Sequence, residues 1–563
     1  MRLLLHLIWL SSLVATCVAS PSLAATPSAQ PAAVDGGPLT YRVWQFLDDD
    51  WNYLQKAIPL ARRGGMNRIQ LCQHVIMDIH ELYKSPTKLE LLRKITHLAH
   101  EHDLKVDLWT HELADVPRSL KSNGKVLIND DLWTWMRGKY ARAFELLPET
   151  DGLVLTFAES QVKVYGDGVI SELSPDQRIA KLIEVMADIC REHGKTLFIR
   201  TFVYEPNELE AIRKAIELTA DAVKEKGNVV IMTKCVPHDW SPFYPYNPLL
   251  GNVSGLPQIV EIDLGQEYTG VSKILHCEVN YVHAVMAHCR RTGVVGAVTR
   301  VDRSRNQRAL GTPNEVNLHA FNRLAHDPSL SVDALWNEWA VERYGKEAAP
   351  HVVDALKATY DITNLTLYPL EQWIQNHSRL PNWRYATSHI TFVSPAKWIP
   401  SPRQELARDE LLRPDWITLK KINAEKDMAR ELADSSLAIL QQGREHIQDE
   451  DFRELQRYLE FGRDVIDVFR YQNLAFSATM RYLNRVDGIG IERQSLNELR
   501  GEALDYIDRF SKSADVIEQR YGADAYPGNP KLARKYAEEM RRLVAAKESL
   551  SGDRASGQTG LND

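Results

Sequence analysis

Cysteine is scarce in this 563-residue chain, and its distribution excludes two kinds of architecture. One of the six cysteines, Cys17, lies in an N-terminal apolar stretch. The other five are odd in number, scattered and mostly inside apolar runs, which is the pattern of neither a disulfide framework nor a zinc site. We predict that they are small core residues and that no metal is bound; they are Cys72, Cys190, Cys235, Cys277 and Cys289.

Further absences narrow the class of protein. The formal net charge is −7 and there is no basic stripe, which argues against nucleic acid or an anionic membrane as a partner. No apolar run reaches the ~20 residues of a membrane-spanning helix. The first strand-to-helix turn is not glycine-rich, as a dinucleotide-binding open sheet would require. No cofactor is predicted.

The N-terminus has the pattern of an export signal. Arg2 precedes an apolar stretch, residues 3–18, and small residues follow at 22–25. A basic start, an apolar middle and small residues predict a signal peptide over residues 1–25, and a Pro-, Ala- and Ser-rich linker over 26–37. The competing interpretations are a membrane anchor and a lipoprotein at Cys17, and both fit less well. We expect export to the periplasm or the outside.

From Tyr41 to about Leu324, short apolar runs alternate with amphipathic helical patterns such as Asp176–His193 and Asn207–Lys224. Eight such alternations predict a (β/α)₈ TIM barrel over residues 38–345. The predicted strands are Tyr41–Phe46, Asn67–Cys72, Lys105–Trp109, Gly152–Phe157, Thr196–Phe202, Val229–Thr233, Gln258–Asp263 and Gly296–Val301.

The sequence after the barrel predicts an all-α domain over residues 346–550 and a disordered polar tail over 551–563. Helical patterns cover Asp415–Leu440, Asp451–Phe469 and Leu496–Phe510. An apolar stripe at helical spacing in the second of these predicts a buried core and not a cofactor site. Self-association through these helices is possible.

Acidic side chains follow several predicted strands. Glu159 follows the fourth, Asp239 the sixth and Glu267 the seventh, with the last two 28 positions apart. The active site of a TIM barrel lies at the C-terminal ends of its strands, and paired acids with nearby aromatics are typical of sugar-cleaving enzymes. Helix caps or structural salt bridges are the alternative explanation. Arg200 and Lys234, at strand ends as well, favour an anionic or sugar ligand.

Asp239 begins a loop that runs to Gly251 with prolines at every third position, and Glu267 begins the motif Glu267-Tyr268-x-Gly270. These segments resemble glycoside hydrolase family 67, the α-glucuronidases, in which a loop similar to the first carries one catalytic carboxylate. Glu267-Tyr268-x-Gly270 is similar to the second carboxylate motif, and Arg200–Tyr204 and Phe321–Ser331 are similar to two further segments. The family's separate N-terminal domain has no counterpart before Tyr41, so a divergent relative is expected.

The resemblance implies a role for each residue. Glu159 would be the general acid, in apolar surroundings that raise its pKa, while Asp239 and Glu267 would activate water with inversion. Arg200 and Lys234 would bind a uronate carboxylate. Further predicted substrate-binding residues are Trp109 and Trp240, which could stack on sugar rings, together with Tyr268 and Arg303.

The chain departs from the family at two places. A family lysine four residues before the acid is Leu155 here, and the stretch after strand eight is replaced by residues 303–307. Arg303 or Arg305 could take over from the lost lysine. We therefore expect an exo-acting, inverting hydrolase that removes an α-linked glucuronic or 4-O-methylglucuronic acid from plant or algal oligosaccharides. The alternatives are an inactive barrel that binds acidic glycans, and a hydrolase or lyase that acts on another sugar.

Overall fold

The structure is a computed structural model that describes residues 36–398, 401–489 and 494–556, with side chains up to residue 547. The predicted signal peptide, most of the predicted linker and the end of the predicted tail lie outside the described residues.

Eight parallel strands form a closed barrel, so the predicted TIM-barrel fold is confirmed. Each strand pairs with the next one along the chain, and the last closes on the first, with Tyr41 opposite Gly296. The predicted strand ends are correct to within two residues. The strands are β1 (Tyr41–Phe46), β2 (Arg68–Leu71), β3 (Lys105–His111), β4 (Gly152–Thr156), β5 (Thr196–Arg200), β6 (Val229–Lys234), β7 (Gln258–Asp263) and β8 (Gly296–Arg300).

The barrel interior changes from apolar to charged along the strands. Alternate residues of a strand point to the same side, so the residues two positions apart share the interior. In β5 the buried Phe198 and Arg200 are two positions apart, and in β6 the same holds for Met232 and Lys234. The charged side chains therefore form a layer at the C-terminal mouth, above an apolar layer that fills the barrel.

Helices connect the strands and cover the barrel. Ser174 caps the helix Pro175–Glu192 in a capping box with Gln177, and the predicted apolar face of this helix is buried. The helices of this part are Trp51–Arg63, Glu81–Lys84, Pro86–Glu101, Asp130–Leu146, Pro175–Glu192, Pro206–Lys224, Val279–Arg291, Glu315–His326 and Val332–Tyr344.

Short strands lie in the connections after β3 and β4 and in the segment after β8. Lys121–Ser122, Lys125–Leu127 and Val169–Ile170 form a small sheet, and Asp302–Ser304 pairs with Gln307–Arg308 in a hairpin after β8.

From Ala349 onward the described elements are helices, apart from an isolated bridge between Asn376 and Arg379. They are Ala349–Leu356, Thr359–Leu367, Trp383–Phe392, Pro402–Leu412, Trp416–Gln442, Asp449–Val486, Leu496–Tyr521 and Pro530–Ser556, with 3₁₀ turns at Pro369–Glu371, Pro395–Lys397 and Arg444–His446.

The longest helix, Asp449–Val486, packs against the helices on either side of it in sequence. Its predicted apolar stripe, which includes Leu455 and Ile466, is buried, which confirms a core role. The helix continues well past the predicted end at Phe469, because buried apolar residues recur up to Tyr482. The final helix likewise continues beyond the predicted boundary at residue 550, as far as Ser556.

The five cysteines after the N-terminal stretch are buried and free, as predicted. None of the helices in the described ranges combines the length and the hydropathy needed to cross a membrane. Within the same ranges, no group of three or more His, Cys, Asp or Glu side chains is arranged to hold a metal ion.

Gly296→Ala tests the closure of the barrel. A Cβ at this position would lie 2.5 Å from Tyr41 Cβ and 2.8 Å from Tyr41 O, so β1 and β8 would have to separate. We expect the free energy of unfolding to fall by about 1–3 kcal/mol, measured by urea denaturation. Gly138→Ala is the control: it lies in a helix with open space around it, and should stabilise by about 0.5–1 kcal/mol. Equal effects of the two changes would contradict the argument.

Candidate active site

A buried carboxylate, Glu261, organises the charged layer at the barrel mouth. It is completely buried, and Arg200 donates to both of its oxygens, at 2.7 and 3.2 Å. Arg300 Nε lies 3.7 Å from it. Burial by itself would raise the pKa of Glu261, but Arg200, Arg300 and Lys234 outweigh burial and lower it. Glu261 therefore stays ionised and holds these cations in place.

Asp239 is paired with a buried lysine. Lys234 Nζ donates to Asp239 Oδ1 at 2.8 Å, and its ammonium lies 3.4 Å from the ring centre of Phe202 and 3.8 Å from that of Trp240. Burial opposes ionisation of Asp239, but the charge of Lys234 outweighs it and holds the pKa well below the usual range. The side chain remains 16 % exposed, so this ionised carboxylate can reach the cleft.

Glu267 is held by two guanidinium groups. Arg300 Nη1 donates to Oε2 and Arg303 Nε lies against Oε1, each at 2.8 Å. The turn before it is tight, because a Cβ on Gly265 would lie 2.7 Å from Asp302 O, and Gln266 has a φ of 62°. A non-glycine residue in this region is strained, and such strain is typical of functional sites.

Glu159 differs from both of these acids. It lies at the mouth of β4 with a φ of 65°, its side chain is exposed, and Tyr204 donates a hydrogen bond to its Oε1 at 3.1 Å. The apolar wall predicted around it is therefore not found. Its side-chain partner is a neutral phenol, whereas Asp239 and Glu267 are paired with cations.

Of the predicted cationic site residues, Arg200 is the most enclosed. Its side chain is 1 % exposed and that of Lys234 is 2 % exposed, while Arg303 is 23 % exposed. Arg200 pairs with Glu261 and not with Glu159. Arg303 also donates to Gln73 and thus lies across the cleft, between the ends of β2 and β7.

The predicted aromatic residues are mostly covered. Trp109 has no exposed surface and lies under the guanidinium of Arg200, with 4.7 Å between guanidinium and ring, so no sugar can stack on it in this conformation. Trp240 has Lys234 and Arg300 over its ring, the latter at 4.3 Å. Tyr268 is buried as well, with Trp373 packed edge-on at 4.9 Å. These rings support the cations and the loops.

The helical region contributes side chains that the sequence reasoning missed. Ser378 donates to the carbonyl of Glu267 at 2.6 Å and accepts from Gly270 N, so it fixes the loop after β7. His377 Nε2 lies 3.4 Å from Glu267 Oε1, and burial lowers the pKa of this histidine. Neither lies in a recognisable motif, and only the folding of the helical region over the barrel brings them to the site.

Asp263, at the end of β7, was also missed as a site residue. Its Oδ2 accepts from the backbone N of Glu267 at 2.9 Å, while its Oδ1 is buried without a partner. Burial raises the pKa of Asp263 to about 7, with Arg300 opposing and Glu267 reinforcing the shift. The sequence did contain one signal for this role. Asp263 lies two residues after Glu261 in a mostly apolar strand, so both side chains are expected on the same side of the sheet.

Residues 69–315 match the Glycosyl hydrolase family 67 middle domain, a little under half of the chain. The barrel is therefore similar to the middle domain of glycoside hydrolase family 67. An alpha-glucuronidase of Hypocrea jecorina is 25% identical over 149 residues, which are 25% of this chain and 17% of that protein. A probable alpha-glucuronidase A of Aspergillus flavus is 24% identical over 214 residues, which are 33% of this chain and 25% of that protein. The chain thus spans a quarter or less of the curated relatives it matches.

Among solved structures, a GH138 enzyme targeting pectin rhamnogalacturonan II is similar over 92% of this chain and 85% of that chain, with a TM-score of 0.57. The sequence identity is 13%, so this likeness concerns the fold alone. The charged layer lies at the C-terminal ends of the strands, which is the end of the barrel where TIM-barrel enzymes carry their active sites.

The raised pKa of Asp263 predicts a pH-dependent stability. The folded protein retains this proton up to about pH 7, whereas an unfolded Asp loses it near pH 3.8, so the stabilising contribution is lost as the pH rises between these values. The Asp263→Asn variant cannot ionise at this position. The difference between its unfolding midpoint and that of the wild type should therefore shift in favour of the variant from pH about 4 to about 7, and should stay constant above pH 7. A constant difference across this range would contradict the argument, and Asp49→Asn, at an exposed position, is the control.

Proposed function

We propose that this protein is an exported, exo-acting glycoside hydrolase that removes an α-linked glucuronic or 4-O-methylglucuronic acid from oligosaccharides, with inversion. The observation that carries the proposal is the contrast among the three acids. Glu159 is exposed with a neutral hydrogen-bond donor, and Asp239 and Glu267 are paired with Lys234 and with two arginines. Such different surroundings suit Glu159 as the general acid and Asp239 and Glu267 as the carboxylates that activate water.

In the proposed reaction, Glu159 gives its proton to the glycosidic oxygen as the bond between that oxygen and the anomeric carbon breaks. A water molecule attacks the anomeric carbon from the opposite face. Its proton passes to the base side, where Asp239 is ionised because of Lys234. The uronic acid leaves with the opposite anomeric configuration.

Recognition of the uronate is proposed to centre on Arg303. Arg200 and Lys234 are enclosed and already satisfied by carboxylates, whereas Arg303 keeps an exposed part of its guanidinium. A guanidinium binds a carboxylate through two parallel hydrogen bonds. Leu155, at the position of the family's lysine, is buried and apolar, so a replacement cation has to come from another strand end.

The first test is the product released from uronic-acid-capped oligosaccharides. NMR should show free uronic acid, first as the β anomer from an α linkage, and Glu159→Gln, Asp239→Asn and Glu267→Gln should each reduce kcat at least about 10²-fold. The panel should include acidic pectic oligosaccharides, because the GH138 enzyme of similar fold targets pectin rhamnogalacturonan II. Binding without any turnover would contradict the proposed hydrolase and favour a glycan-binding barrel.

Arg303→Gln tests uronate recognition. Because a lost charge-assisted hydrogen bond costs roughly 1.5–3 kcal/mol, kcat/KM for an aryl α-glucuronide should fall about 10–100-fold. The matching aryl α-glucoside, which lacks the carboxylate, should be affected much less. Arg305→Gln, at an exposed position in the turn of the same hairpin, is the matched control. Equal losses on both substrates would show that Arg303 does not read the carboxylate.

A further inference from the structure

One buried acid at the barrel mouth has no part in the proposed reaction. Glu112 follows β3 directly, and it is 1 % exposed, so it cannot touch a substrate. Its Oε2 accepts a hydrogen bond from the backbone N of Val164 at 2.9 Å. Val164 belongs to the loop 157–168 after β4, which carries Glu159 and is called the acid loop below.

A second atom pair joins Glu112 to the same loop. Glu112 Oε1 and Ser160 Oγ are both buried without a hydrogen-bond partner, and Ser160 is close enough to Glu112 to affect its pKa. Ser160 directly follows Glu159. A small side-chain rotation would let these atoms satisfy each other, which the cost of leaving buried polar atoms unpaired favours.

The charged groups around Glu112 are already paired. Lys163 favours the charged form of Glu112, but its ammonium is 2.6 Å from Glu208, which opposes that form, and Tyr165 is a further ionisable neighbour. Burial is therefore the main influence and raises the pKa of Glu112 well above its usual range. A neutral carboxyl group can donate one hydrogen bond and accept another, as a glutamine amide can.

We propose that Glu112 is a positioning residue that clamps the acid loop at Ser160 and Val164, and thereby fixes Glu159 in its strained, left-handed conformation. Glu112 holds the loop through Val164, and the Lys163–Glu208 pair is a second attachment of the same loop. Glu208 also accepts from the backbone N of Tyr204, whose hydroxyl donates to Glu159. The loop, the acid and its phenol partner are thus held as one unit.

The test compares Glu112→Leu with Glu112→Gln, and it rests on the proposed role of Glu159. A displaced acid slows only substrates whose leaving group needs a proton. In the leucine variant, kcat on an oligosaccharide should fall about 10–100-fold, while kcat on a dinitrophenyl glycoside should stay within about twofold of the wild type. The glutamine variant should retain both activities, because its amide accepts from Val164 and donates to Ser160. Glu172→Leu, at an exposed position before the next helix, is the control.

Hydrogen exchange of the acid loop, followed by mass spectrometry, provides a readout that does not depend on the function. Exchange over residues 160–166 should speed up in the leucine variant and not in the glutamine variant, even if no glycoside is cleaved. Unchanged exchange in the leucine variant would overturn the clamp, as would a glutamine variant impaired as strongly as the leucine one. If exchange is faster but kcat falls equally on the oligosaccharide and the dinitrophenyl glycoside, the clamp stands and only its effect on Glu159 is overturned.

Discussion

The site depends on the burial of Glu261 in the barrel interior. A carboxylate without access to water is tolerated only when cations and hydrogen bonds compensate it, and Arg200 and Arg300 do so here. Breaking this arrangement would leave an unpaired buried charge. The cations are consequently fixed, and Arg300 extends from Glu261 to Glu267.

This arrangement also constrains recognition. Arg200, Lys234 and Arg303 each have a carboxylate partner inside the protein, so the acidic sugar of the proposed reaction would meet a barrel mouth whose charges are largely balanced. In the proposed function, selectivity would rest on Arg303, which is the most exposed of these cations, and on the loops that hold the acids. Those loops are tight or strained at Gly265, Gln266 and Glu159, which means that their shape is maintained by contacts such as those of Ser378 and Glu112.

Much of the fold could be predicted, because apolar alternation and helix starts are local signals. The strand ends that position Glu159, Asp239 and Glu267 followed from the same pattern. The surroundings of these acids could not be predicted. Apolar residues before Glu159 indicated a buried acid, but its left-handed backbone turns the side chain outward. Trp109 looked like a sugar platform, yet its position on β3 places it inside the barrel under Arg200.

By itself, the sequence determined the (β/α)₈ barrel, the helical region and the acids that stand at the strand ends, because each depends on spacing along a short stretch of chain. Only the tertiary structure decided which cationic side chain pairs with which carboxylate. Lys234 pairs with Asp239 five residues away, but Arg200 finds Glu261 at a separation of 61 residues and Ser378 reaches Glu267 across 111. Such partners are chosen by barrel closure and by the packing of the helices, since desolvation makes every buried charge depend on neighbours that only the complete fold supplies.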